Sequence, residues 1–287
     1  MQTFLPSADF AESAASLDSA RLGKQRVETL QILRALVLPT YGWQRHPAVT
    51  MWRGHVPALT AYGLAVVDEW RERGNADAVR EQLLEFAPEV AGRSQQRLAV
   101  EGLMPDWLGD FAVHESHRSK LIAKDPGFYL PRFPGTPLGL DYVWPEGVGT
   151  HEAEDAHELW VLRVPFLEPW RAIGMLGLPD AGPRGATAAW RTQLRSFEDE
   201  LVPGVVLGVS AEDDARRVHL AEVAGPAAPA TIDGTGYTAV AAEFTGLAVQ
   251  RRALPTPAAL QNPRRFFRVP LPVPVGDLVT HAEDLTE

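Results

Sequence analysis

The side chains best suited to chemistry lie close together near the N-terminus. They are Arg21, Lys24, Gln25 and Glu28, whose spacing puts all four on one face of an α-helix. A lone carboxylate among cations is ionised, and an ionised carboxylate stabilises a developing positive charge better than it donates a proton. The alternative for Glu28 is a surface residue that pairs with Lys24 one helical turn away.

Cationic and histidine side chains recur through the first 134 residues. The formal net charge of the chain is −10, but residues 1–134 contribute only −1 of it, so basic surfaces that bind phosphate can form there. His114 and His117 are too few for a metal site, and phosphate or base contacts compete with structural roles. The candidates for nucleic-acid contacts are Lys24, Gln25, Arg45, His46, Arg53, His114, His117, Arg118, Lys120 and Tyr129.

Helices must position these residues. Apolar residues recur at helical spacing over 17–37, 47–73, 76–87 and 110–124. Pro57 is expected to kink or restart the second of these helices. The Pro/Gly-rich segment after residue 130 carries Tyr142 and Trp144, which we expect to pack back onto the helices.

The character of the sequence changes near residue 145. Residues 146–156 are acidic and predict a linker. Beyond them, short apolar runs alternate with turn residues, which predicts strands over Leu159–Val164, Val205–Val209, Val218–Val223, Tyr237–Phe244 and Phe266–Leu271, with a helix near 186–200. We therefore predict an α+β chain of two domains, an all-α domain over 1–145 and a small β-barrel domain over 157–287.

Composition excludes several classes of protein. The absence of cysteine excludes disulfides, thiol catalysis and thiolate metal sites. No apolar run reaches the ~18 residues that a membrane span needs, and the first residues lack the pattern of a signal peptide. We expect a cytoplasmic protein without a metal, a cofactor or a membrane partner.

Four segments of the first domain together carry a family resemblance. They are Leu17–Glu28, His46–Trp52, His114–Ser119 and Lys124–Tyr129. With them, residues 1–145 resemble the bacterial branch of the pyrimidine-dimer DNA glycosylases. The resemblance implies a compact all-α fold, DNA as the partner and a glycosylase coupled to an abasic-site lyase.

The resemblance also implies roles for individual residues. The family's helix-1 glutamate falls on Glu28 and its aromatic pair near Phe128 and Tyr129. The chain's own α-amine would attack the sugar, and a neutral amine forms a Schiff base without a metal. Because Gln2 is bulky, Met1 is expected to be retained, so either its amine is the nucleophile or the lyase step is absent. Glu28, Met1 and Arg21 are the catalytic candidates.

The second domain resembles PUA-like domains of the EVE or ASCH kind. The resemblance depends mainly on the strand Leu220–Val223 and on Leu254–Leu260, which reads as a turn into a short helix. Such domains are small β-barrels that bind a modified or flipped base in a pocket, for which Trp160 and Trp170 are the candidates. A purely structural or dimerising barrel is the alternative.

These observations predict an enzyme that excises a damaged or modified base from duplex DNA. A glycosylase must take the base, or its partner, out of the stack. Two alternatives remain from the sequence: a non-catalytic reader of modified nucleic acid, and an enzyme acting on a nucleoside or nucleotide, which the net charge of −10 favours. The salt dependence of binding separates duplex recognition from nucleoside recognition.

Overall fold

A computed structural model describes residues 1–39, 41–148, 157–280 and 282–284. The chain divides into two compact units, 1–152 and 153–287. Most of the acidic segment predicted as a linker, residues 149–156, lies outside the described residues. The first unit is helical and the second is built on a sheet, so the chain is α+β. No helix in the described ranges is long and apolar enough to cross a membrane.

The helical unit is organised around two long helices, α2 and α4, which pack against each other. Asp18 caps α2 by accepting hydrogen bonds from the backbone amides of Ala20 and Arg21, and Asp110 caps α7 in the same way through Ala112. The helices are α1 (Phe10–Ala15), α2 (Ser19–Val37), α3 (Pro47–Thr50), α4 (Val56–Glu72), α5 (Arg80–Leu84), α6 (Gln95–Val100), α7 (Phe111–Lys124) and α8 (Pro126–Tyr129), with a 3₁₀ turn at Pro88–Val90.

Of the four predicted helices, those over 17–37 and 110–124 match α2 and α7 closely, and the other two do not match in extent. The helix predicted over 47–73 is two helices, because the chain turns between them through Gly54 at φ +79° and Pro57 occupies the first turn of α4. The helix predicted over 76–87 is only the short α5. Helices α1 and α6 were not predicted, since six residues give too little periodicity to read.

Gly63 allows α2 and α4 to approach closely. A Cβ at this position would lie 2.9 Å from Thr29 Cγ2 on α2 and 3.1 Å from Leu83 Cδ1 on α5. Real Cβ atoms essentially never approach another atom to 2.9 Å, so a larger residue here forces the neighbouring side chains or the helices to shift. The buried residues around this crossing, which include Leu30, Leu33 and Leu59, form the core of the unit.

We predict that Gly63→Val destabilises the helical unit by about 1–3 kcal/mol, because overpacking forces a backbone shift between α2, α4 and α5. Ala20→Val on the exposed start of α2 is the matched control and should change stability by less than about 0.5 kcal/mol. Chemical denaturation measures both. Equal stability of the two variants would contradict the close approach.

The second unit is a mixed sheet whose strands run in the order β2-β6-β4-β3-β1-β7, with β5 and β8 also paired to β6. Among the described strands, only β1 and β3 pair in parallel. The elements are β1 (His157–Val164), α9 (Glu168–Ile173), β2 (Met175–Pro179), α10 (Ala188–Glu200), β3 (Val206–Ala211), β4 (Arg217–Val223), β5 (Ala228–Ile232), β6 (Thr235–Gln250), β7 (Phe266–Leu271), α11 (Val275–Thr280) and β8 (Glu283–Asp284), with 3₁₀ turns at Arg251–Ala253 and Pro257–Gln261.

The sheet buries both faces. Alternate residues of β1 enter two separate cores, so that Leu162 and Val164 pack with Phe197 of α10, whereas Leu159 and Val161 pack with Leu260 near the C-terminal 3₁₀ turn. The end strands β2 and β7 do not pair with each other among the described residues, so the sheet is open. The closed barrel that the sequence predicted is therefore not seen.

Candidate functional site

Glu28 is buried in the helical unit and faces the start of the chain. Its Oε1 lies 3.4 Å from the α-amino nitrogen of Met1 and 3.5 Å from Nζ of Lys24. The side chains of Met1 and Glu28 are 6% and 8% exposed, whereas that of Lys24 is 69% exposed. A carboxylate buried this deeply needs charged or hydrogen-bonding partners, and the chain supplies an amine on one side and a lysine on the other.

Gln25 holds the N-terminal segment in place one turn before Glu28. Its side chain is fully buried. Its Nε2 donates to the carbonyl of Gln2 at 2.6 Å and to Glu28 Oε2 at 3.3 Å, and its Oε1 accepts from the amide of Phe4. The hydroxyl of Tyr62 on α4 lies 2.7 Å from the same Oε1 and 2.8 Å from the Phe4 carbonyl, and it can donate to either. These bonds fix the direction of the α-amine.

His117 on α7 supports the segment from its other side. Its Nδ1 accepts from the amide of Leu5 at 3.2 Å and lies 3.5 Å from Nε2 of Gln2. Burial, with a smaller contribution from the nearby His114, lowers the pKa of His117 to about 3. The ring is therefore neutral, and because Nδ1 accepts, its proton is on Nε2. That nitrogen is buried with no hydrogen-bond partner among the described residues.

Aromatic rings surround the same place. Tyr142 lies 5.1 Å from His117 and 4.9 Å from Trp144 between ring centroids, and the hydroxyl of Ser116 on α7 accepts from the backbone amide of Val143. Residues 142–144 thus pack back onto the helices, as the sequence indicated. Burial raises the pKa of Tyr142, and the charge of Glu28 raises it further.

His46 completes the site at the start of α3. Its Nδ1 accepts from the amide of Ala48, which caps that helix. Burial lowers the pKa of His46, the positive charge of the α-amine lowers it further, and Glu28 opposes both. The imidazole therefore lies within electrostatic reach of both members of the amine–carboxylate pair, and its ring is 6.4 Å from that of Trp144.

Several predicted site residues make contacts within the folded unit. Arg21 pairs with Asp18 at 3.0 Å and donates to the carbonyl of Lys124, and its catalytic role stays a prediction. Tyr129 was predicted to contact nucleic acid, but this prediction is wrong because the ring is fully buried and its hydroxyl bonds to Asp18. Gln25 is equally inaccessible to DNA, since its amide is used within the core.

The two histidines of α7 are also not available to phosphate. His114 is buried, with Nδ1 bonded to the carbonyl of Leu5 and Nε2 accepting from the amide of Gly109. His117 is fully buried. The prediction that these rings contact nucleic acid is corrected by their burial. What they share is the N-terminal segment, which they bond from one side while Gln25 bonds it from the other.

Some of the basic side chains predicted to contact nucleic acid are bonded within the protein, and others are exposed. Arg118 donates to the carbonyl of Pro6, Arg53 donates to the carbonyl of Gln44, and Lys120 pairs with Asp141 at 3.0 Å. Lys24 and Arg45 are exposed, and both remain candidates for phosphate contacts. No three His, Asp or Glu side chains of the described ranges converge as a metal site would require.

The two tryptophans proposed for a pocket in the second unit have separate neighbours. Trp160 stacks on Phe266 with 4.4 Å between centroids, and the guanidinium of Arg268 lies over it at 5.1 Å. Trp170 meets Tyr237 edge to face at 5.3 Å. Both rings pack against the core on the α10 side of the sheet. The structure shows no contact between these two rings.

Part of this site lies in a segment that matches a known family. Residues 1–81 match the family model described as pyrimidine dimer DNA glycosylase. No curated protein and no solved structure matches the chain. The matched segment holds Met1, Gln25, Glu28, His46 and Tyr62. The match covers 81 of the 287 residues and is a likeness to a family of DNA glycosylases.

We predict that the buried His117 makes stability fall below neutral pH. Its pKa of about 3 in the folded protein is below the ~6.5 of an unfolded histidine, so only the unfolded chain takes up a proton between these values. Its contribution is therefore complete above pH 6.5 and declines as the pH falls, by about 1 kcal/mol between pH 7.5 and pH 5.5.

His117→Asn keeps an acceptor near the Leu5 amide but removes the titrating group. Denaturation of this variant at both pH values should show about 1 kcal/mol less dependence on pH than the unmodified protein shows. His157→Asn, at an exposed position of the second unit, is the matched control and should leave the dependence unchanged. An unaltered dependence in His117→Asn would refute the assignment.

Proposed function

We propose that the helical unit is a DNA glycosylase that excises a damaged or modified base and couples excision to cleavage at the resulting abasic site. The observation that carries this proposal is the buried contact between Glu28 and the α-amine of Met1 at 3.4 Å. Both groups belong to the segment that matches the pyrimidine dimer DNA glycosylase family. A carboxylate beside an amine is the pair that Schiff-base chemistry at a sugar requires.

The proposed reaction begins at C1′ of the nucleotide. The neutral α-amine attacks C1′ as the glycosidic bond breaks, the electron pair of that bond leaves with the base, and the amine loses its proton. The Glu28 carboxylate stabilises the positive charge that develops on the sugar. Opening of the ring gives an imine, and loss of a C2′ proton then expels the 3′ oxygen and cuts the strand. No step needs an oxidant or a metal.

The surroundings of the pair suit this reaction. Gln25, Tyr62 and His117 hold residues 2–5, so the amine is oriented before substrate binds and little reorganisation remains. The Glu28 side chain is only 8% exposed, and low exposure to water strengthens the electrostatic effect of its charge. Lys24 and Arg45 are exposed cations that would contact the phosphates of the strand.

For the second unit we infer a PUA-like role in recognising the base. The support is the Arg268 guanidinium over the half-buried ring of Trp160, since a cation beside an aromatic ring is typical of surfaces that bind nucleic acid. Arg268 also pairs with Glu158 at 2.7 Å, which positions it. A structural role for this unit is the alternative.

We predict that Glu28→Gln reduces base excision by about 10²-fold or more, because it removes the charge that stabilises the sugar cation. Excision is measured on duplexes that contain a cyclobutane pyrimidine dimer or a panel of modified bases, with circular dichroism to show that the variant is folded. Glu89→Gln, at an exposed position of the same unit, is the control. Equal excision by Glu28→Gln and the unmodified protein would refute the role of Glu28.

We predict that the lyase step uses the chain terminus. Reduction with borohydride during the reaction should trap a covalent adduct, and mass spectrometry should find it on the peptide that begins at Met1. An uncleaved N-terminal extension should abolish the adduct, because the amine would be gone from its place beside Glu28. An adduct on the Lys24 peptide would transfer the nucleophile to α2, and base release without any adduct would mean attack by water.

A further inference from the structure

An exposed tryptophan in a strained conformation lies beside the site. We call residues 41–46 the Trp43 loop. Trp43 is 66% exposed, and its φ of +71° lies in the left-handed region that bulky residues rarely adopt. Glycine would occupy this backbone conformation with less strain, and an exposed ring contributes little to the stability of the fold. Both features indicate that the side chain serves a contact outside the folded chain.

The conformation of the loop is fixed by neighbouring groups. The side-chain amide of Gln44 donates to the carbonyls of Leu38 and Pro39 at 2.9 and 3.0 Å. The guanidinium of Arg53 donates to the carbonyl of Gln44, and the amide of His46 donates to the carbonyl of Trp43. Hydrogen bonds therefore fix the turn that exposes the ring to solvent, and a fixed conformation reduces the entropy lost when the ring binds a partner.

His46 lies between Trp43 and the amine–carboxylate pair of Met1 and Glu28. The ring of Trp43 lies 5.9 Å from that of His46, edge to face. His46 in turn feels the charges of both the α-amine and Glu28. Arg45, between the two rings in sequence, is exposed. An exposed ring and an exposed cation on adjacent residues match the alternation of base and phosphate along a nucleic-acid strand.

We propose that Trp43 stacks on a single nucleobase that leaves the duplex stack when DNA occupies the site. This inference rests on the proposed function and names the group that stabilises the opened duplex. Removing a base from the stack costs stacking and pairing free energy. Stacking of that base on an aromatic side chain offsets part of this cost. Arg45 binds a phosphate of the same strand.

The test uses the full chain and a duplex that carries 2-aminopurine opposite a tetrahydrofuran abasic analogue. The fluorescence of 2-aminopurine rises when the base leaves the stack and is quenched when a tryptophan stacks on it. The unmodified protein should bind this duplex with quenching. Trp43→Ala should lose the quenching and about 5- to 150-fold in affinity, as expected for one base–aromatic stack, whereas Trp43→Phe should retain most of both.

Two further variants separate stacking from a structural role. Trp43→Gly should bind as weakly as Trp43→Ala but melt at the same or a higher temperature, because glycine relieves the strain at φ +71°. Phe166→Ala removes an aromatic ring that is 62% exposed in the second unit and should leave affinity and quenching unchanged. A lower melting temperature in Trp43→Gly without a loss of affinity would overturn the proposal.

The outcomes distinguish this inference from the proposed function. If Glu28→Gln abolishes excision but Trp43→Ala binds and quenches like the unmodified protein, the stacking role is wrong and the glycosylase stands. If Trp43 quenches 2-aminopurine but no substrate loses a base, the protein is a binding module and the glycosylase is wrong. If Trp43→Ala alters only self-association, the ring is a protein contact and the stacking role is again wrong.

Discussion

Burial of the Glu28 carboxylate is the constraint on which the helical unit depends. A buried charge without partners costs several kcal/mol, so the fold must bring compensating groups to it. One partner, Lys24, comes from the same helix and reaches in from solvent. The other is the α-amine of Met1. Because this amine is part of the backbone, the path of residues 1–5 determines its position beside the carboxylate.

Side chains from α2, α4 and α7 hold this backbone in position. Gln25 from α2 and Tyr62 from α4 bond to residues 2–4, and the two histidines of α7 bond to Leu5 from the other side. Polar side chains in a core are costly unless they find partners, and the N-terminal segment supplies partners to all four, although Nε2 of His117 has none among the described residues. The close crossing of α2 and α4 at Gly63 brings Tyr62 within reach of Gln25.

The sequence revealed the local part of this arrangement and missed the long-range part. The spacing of Arg21, Lys24, Gln25 and Glu28 placed them on one face of α2, and that helix was predicted to within two residues of its observed start. Periodicity suggested a solvent-exposed polar face. In the structure, the first residues of the chain cover part of it, and no pattern within α2 reports contacts with a segment outside the helix. The burial of Tyr129 was missed for the same reason, since its hydroxyl bonds to Asp18, 111 positions away in sequence.

In the second unit, the sequence indicated the buried strands but not the short strands at the edge of the sheet. The predicted Phe266–Leu271 is β7 without change, because its apolar run is bounded by Arg265 and Pro272. The predicted Tyr237–Phe244 is only half of the 16-residue β6, which continues past Gly246, a glycine at φ +76°. Strands β2 and β5 were missed because short strands rich in Gly, Pro and Ala resemble loops in sequence.

The hydrogen bond between Leu5 and His117 has a consequence for synthesis. These residues are 112 positions apart, and the rings at 142 and 144 follow later still. During translation at about 5–20 residues per second, the first residues leave the ribosome well before the groups that hold them. Residues 1–5 are therefore synthesised before the residues that they contact. They can reach their final positions only after the whole helical unit has left the ribosome.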